Sequence, residues 1–186
     1  MDSGHDVRRS KIRIRIFIKM ADTIKNKIDE AGLLTLDVST LVVQGERKEL
    51  DLLIFLDEGM IVKEALFRKK LQTFGWAQFK NCFVAITCSK DVIVPPWAYL
   101  LIQVNLRNIA KEVFFCNLQT MDMLLFQKAL IKLDMNNYKN KRVFLKVCSG
   151  NTIPLVFLSL CVSILTPHVK SLFYGEPCSS VPLIKN

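Results

Sequence analysis

Three cysteines recur in one local setting: Cys88-Ser89, Cys148-Ser149 and Cys178-Ser179, each followed by a proline four to seven residues on. The first pair lies in FVAITCSKDVIVPPWAYLL (83–101), the second in VFLKVCSGNTIPLVFLSL (143–160). In the first two, a β-branched apolar run stops at Cys-Ser, a short loop follows, and proline opens an apolar helix. Cysteine placed this way can do soft-metal or nucleophilic chemistry, because ligands gather beyond the carboxyl ends of parallel strands. Neighbouring strands lie about 4.8 Å apart, and thiolates sharing one zinc lie roughly 3.8 Å apart. Cys88, Cys148 and Cys178 on adjacent strands would therefore meet on a single zinc or iron–sulfur cluster, which thiolates favour.

Asp91, in the first Cys loop, is the expected fourth ligand, with Glu176 and Cys116 next. Ser89, Ser149 and Ser179 read as supporting donors or as turn and cap residues. The helices opened by Pro95, Pro96 and Pro154 would turn positive ends toward the thiols and lower their pKa values. The opposing reading is packing, since free cysteine is among the most buried residue types. It suits Cys82 and Cys161, which sit inside apolar runs.

Other chemistries find no residues. The only histidines are His5 and His168, so no Ser-His-Asp or Cys-His pair can be assembled. The seven glycines form no GxGxxG and no phosphate loop, which argues against a nucleotide cofactor. No catalytic residue is assigned.

The elements that must hold the cysteines follow from periodicity. Strands are expected at Phe83–Thr87, Glu112–Phe115, Val143–Val147 and Ser171–Tyr174, with proline-opened helices after the first and third. This alternation predicts an α/β fold: a mostly parallel sheet with helices on its faces, built from two repeated βαβ units plus an N-terminal helical and strand segment. Thr120–Ile131 reads as a linking helix and 134–140 as a turn. Upstream, Ala21–Ala31 reads as a helix, Leu33–Val38 as a strand and Val62–Phe74 as a surface helix with a charged outer face. The run Leu50–Leu56 is apolar but interrupted by Asp51.

With 186 residues, 51% of them apolar, the chain is long enough for one well-buried domain, expected over 20–186. Within it, 20–80 forms the N-terminal segment and 81–186 the duplicated core. Residues 1–19 are expected to be a basic extension outside the fold. Their KIRIRIFIK (11–19) alternates cations with apolar residues and suits either upstream sequence or an arm gripping an anionic polymer. Without this stretch the net charge falls from +9 to +5, too little to imply a specific nucleic-acid partner. The cysteine spacing is not that of a secreted disulfide scaffold, and the apolar heart Ile153–Leu165 is too short to span a bilayer. A cytoplasmic protein that does not enter the membrane is expected. Both repeat helices are apolar nearly all round, which implies a cover from the N-terminal segment or from another subunit, and a homodimer is expected over a monomer.

Residues 21–185 resemble a bacterial domain-of-unknown-function family, number 2480. The likeness rests on GLLTLD (32–37), on Lys63, Glu64, Phe67 and Arg68, on ITCSKDVIVPPWAY (86–99), on Val147-Cys148-Ser149 and on YGEPCSSVPL (174–183). The family has no established activity. Its members sit beside genes of iron–sulfur assembly, so the resemblance implies a thiolate cluster and iron–sulfur assembly proteins as partners. The leading expectation is thus metal handling or cluster assembly at Cys88, Cys148, Cys178 and Asp91. The alternatives are a persulfide carrier working through Cys88, and a dimeric scaffold whose cysteines only pack.

Overall fold

The computed structural model describes residues 32–148 and 152–185. The KIRIRIFIK strand, the Ala21–Ala31 helix and Ser149 lie outside these residues. In chain order the elements are β1 (Leu33–Asp37), β2 (Arg47–Asp51), α1 (Glu64–Thr73), β3 (Phe83–Thr87), α2 (Pro96–Leu106), β4 (Glu112–Phe114), α3 (Leu118–Ile131), β5 (Arg142–Lys146), α4 (Leu155–Leu165), β6 (Ser171–Tyr174) and β7 (Val181–Lys185).

The strands form two sheets where one was expected. One is parallel throughout, in the order β2-β3-β4. The other runs β1-β5-β6-β7, parallel across its first three strands with β7 antiparallel at the edge. The chain divides accordingly into a central unit, Thr40–Leu133, and a terminal unit made of Met1–Ser39 with Asp134–Asn186. The divisions between the units fall at Ser39 and Leu133.

In the central unit β3 lies between two neighbours, and four of its five residues are buried. A strand covered on both faces must read as a continuous apolar run, which FVAIT does. Its alternate side chains serve two cores. Val84 and Ile86 pack with Phe67 and Leu71 of α1 and with Ala98, Ile102 and Leu106 of α2. Phe83 and Ala85 pack with Met121 and Leu125 of α3. Phe55, fully buried, is the hub of an aromatic cluster, edge-on to Phe67 at 5.6 Å and stacked on Trp76 at 5.9 Å. In the terminal unit β5 plays the middle part, with Val143, Phe144 and Leu145 buried and α4 burying Phe157, Cys161 and Leu165.

The stretches from β3 to β4 and from β5 to β6 keep the same contacts at a constant interval of 59 residues. Helices α2 and α4 are each 11 residues long, both behind a proline N-cap. Asn81 N–H donates to the Ile109 carbonyl, and Asn140 N–H to that of His168, both at 2.9 Å. Both asparagines hold a left-handed backbone, with φ of 61° and 59°. Lys111 N–H bonds the Cys82 carbonyl, as Lys170 N–H bonds that of Lys141.

Candidate functional site

The carboxyl ends of the parallel strands form one corner in each unit, and each corner is centred on an aspartate. In the central unit β2 ends at Asp51 beside Thr87 of β3. Asp51 caps the turn Leu52–Phe55 by accepting from Leu53 N–H at 3.0 Å, and it accepts from the Ser89 hydroxyl at 2.5 Å. Burial pushes the Asp51 carboxyl up, but the bonds from Ser89 and Leu53 outweigh it and leave the group below the usual carboxylate range.

In the terminal unit β1 ends at Asp37 beside Lys146 of β5. Asp37 accepts from Ser39 N–H at 3.0 Å and from the Cys148 thiol, while Ser39 Oγ accepts from Cys148 N–H at 3.3 Å. The Cys148 and Ser39 bonds hold the Asp37 carboxyl below its ordinary value. The same bond, together with the Asp37 charge, raises the Cys148 thiol above its ordinary value. The lowered thiol pKa expected from the helix start fails at Cys148, because the carboxylate it touches outweighs the more distant helix end.

Strand pairing also shifts the expected correspondence of the cysteines. Thr87 sits at the end of β3 as Lys146 sits at the end of β5, opposite Asp51 and Asp37 respectively. One residue further, Cys88 corresponds to Val147, and Ser89 corresponds to Cys148. Aligning Cys-Ser with Cys-Ser matched residue names and missed the register by one.

Cys88 is half-buried, and its Sγ donates to the Lys90 carbonyl at 3.3 Å. It lines an open cleft of about 530 Å³ whose walls are apolar: Ile86, Val94, Pro96, Leu100 and the edge-to-face pair Tyr99 and Phe115, 5.6 Å apart. Burial, and secondarily the charge of Cys88, push the Tyr99 phenol up, which puts that phenol within electrostatic reach of the sulfur. The lining holds no carboxylate, histidine or cation.

The other candidates are placed as follows. Asp91 is exposed in the loop beyond Cys88. Cys178 is exposed between β6 and β7, its Sγ 4.0 Å from Ser179 Oγ. Glu176 pairs with Lys146 at 3.4 Å. Cys116 packs against the second core of the central unit, and burial raises its thiol. Burial raises Cys82 and lifts Cys161 to about 11, in keeping with packing roles. Cys88 and Asp91 belong to the central unit and its sheet, Cys148 and Cys178 to the other, so the premise of three adjacent strands does not hold. Among the described residues no group of three or more His, Cys, Asp or Glu is arranged to hold a metal ion.

The strand-end aspartates were missed as site residues. Their signal was present: Leu36-Asp37 and Leu50-Asp51 repeat a buried leucine followed by aspartate, each before a 3-10 turn.

Residues 22–186 match a family model described as protein of unknown function (DUF2480). No curated protein and no solved structure matches the chain. No helix among the described residues is long and apolar enough to cross a membrane.

Proposed function

We propose that this chain, which belongs to the DUF2480 family, is a sulfur carrier whose Cys88 thiol takes up and hands on a persulfide sulfur. The observation that carries this reading is the position of Cys88, a thiol lining an open apolar cleft at the carboxyl end of a parallel sheet. In the loading step the Cys88 thiolate attacks the outer sulfur of a donor persulfide. A bond forms between Cys88 Sγ and that sulfur, the donor S–S bond breaks, and its electron pair leaves on the donor thiolate. No net oxidation occurs, so the cleft has no need of a redox partner. Its apolar walls limit water around the reactive sulfur, and Tyr99 stands beside it. Delivery reverses the step onto an acceptor thiolate, with iron–sulfur cluster assembly as the proposed cytoplasmic setting.

Exposure of the full chain to inorganic polysulfide, followed by a small acceptor thiol, tests the reading. Sulfur transfer is expected from the native chain and from Cys178→Ser, and is lost in Cys88→Ser. Transfer that survives in Cys88→Ser would defeat it.

A metal site within the terminal unit, with Cys148 and Asp37 among its ligands, is the second reading. It is favoured by the Cys148–Asp37 contact, where a thiol and a carboxylate share a proton that a cation could displace. The proposal takes the two βαβ stretches as copies of one unit, on the strength of their common interval. It includes a homodimer, supported by exposed apolar residues on the repeat helices, Leu100 and Val104 in one and Leu155 and Val156 in the other.

A further inference from the structure

The amino-terminal edge of the terminal unit's sheet carries a recess that neither thiol reading uses. We propose that this recess, lined by Arg142, Lys170, Ser171, Phe173 and Lys185, binds a phosphate-type anion, free or as a small phosphate ester.

Strand pairing builds the site. Arg142 of β5 is the partner of Ser171 of β6, and Ser171 is the partner of Lys185 of β7. With strands about 4.8 Å apart, two cations stand on either side of one hydroxyl-bearing residue, and Lys170 precedes it in the chain. All three cations are exposed, and among the described residues none is paired with a carboxylate. Two positions along from Arg142 and Ser171, Phe144 and Phe173 stack at 4.8 Å and 14°. Phe173, held by that stack, gives the recess an apolar flank against which the organic part of an ester can lie. Its volume, about 370 Å³, suits a small ligand.

The corresponding edge of the central unit shows what is different here. At the same interval of 59 residues, Phe83 stands for Arg142, Lys111 for Lys170 and Glu112 for Ser171. There Glu112 pairs with Lys128, and Lys111 lies over the Phe83 ring at 5.4 Å. There a carboxylate offsets one cation and an aromatic ring faces another. In the terminal unit serine stands in place of the carboxylate and arginine in place of the aromatic ring, and among the described residues the gathered like charges have no carboxylate partner. Protection of an exposed strand edge would account for Lys185 on β7. It does not account for Arg142, because β5 has neighbours on both sides.

Calorimetric titration of the full chain at low ionic strength, with inorganic phosphate and then adenosine monophosphate, tests the proposal. One saturable site is expected, weakened at least tenfold in Arg142→Gln and in Lys185→Gln and unchanged in Lys69→Gln, which removes an equal charge from α1. Both site residues are exposed, so folding should survive, and circular dichroism checks that it does. Tighter binding of the nucleotide assigns the site to esters, while equal binding assigns it to the free anion. Failure to saturate at millimolar ligand, or equal weakening in all three variants, would overturn the proposal.

Discussion

Cys148 donates its thiol proton to the carboxylate of Asp37, 111 positions earlier in the chain. The bond lies at the ends of two neighbouring parallel strands and shifts both groups, holding the carboxyl below and the thiol above its ordinary value.

Removing the charge of Asp37 should release Cys148. In Asp37→Asn the thiol loses its main reason to stay protonated, and its alkylation by iodoacetamide near pH 8 is expected to quicken several-fold. Peptide mapping of the labelled sites reads this out. An unchanged rate would mean that Asp37 does not govern the thiol.

The same bond gives stability a pH window. A carboxyl lowered in the folded state stabilises above its unfolded pKa and loses that contribution as pH falls through the folded value. A thiol raised in the folded state stabilises below its unfolded pKa and loses that contribution as pH rises through the folded value. The Asp37–Cys148 contribution is therefore greatest between the carboxylate and thiol ranges. Urea midpoints of the native chain and Asp37→Asn should differ most near neutral pH and converge toward both extremes.

Asn81 and Asn140 each hold a left-handed backbone just before a central strand. A β-branched side chain resists that conformation, at a cost of about 1–2 kcal/mol. Asn81→Val and Asn140→Val are each expected to lose roughly that much in denaturant melts, while the glycine variants stay near the native value.

The middle strands were legible because being covered on both faces forces a continuous apolar run, as in FVAIT and VFL. The proline-opened helices were legible from their N-caps. Strand β2 was not, because RKELD pairs on one side only and turns a single leucine, Leu50, into the core. Strand β7 was hidden by Pro182, which an exposed edge tolerates. The partition into two sheets depends on β1 pairing with β5 across the whole central unit, a contact with no local trace. At the site, residue identity suggested that Cys88 and Cys148 were equivalent, whereas hydrogen bonding to the strand-end aspartates makes Ser89 the counterpart of Cys148. That register becomes visible only once Asp37 and Asp51 are seen as the fixed points.

The metal reading carries its own expectation. If Cys148 and Asp37 are ligands, protein purified without oxygen contains zinc or iron, and Asp37→Asn contains less. Elemental analysis with an absorption spectrum decides between that outcome and a metal-free chain.

The sulfur-carrier account is tested most directly by locating the sulfur. After brief exposure to a persulfide donor, peptide mass spectrometry should find the mass of one added sulfur on the peptide bearing Cys88, ahead of those bearing Cys148 and Cys178. Sulfur distributed over these three cysteines in proportion to their accessibility, or absent from Cys88, would contradict the account.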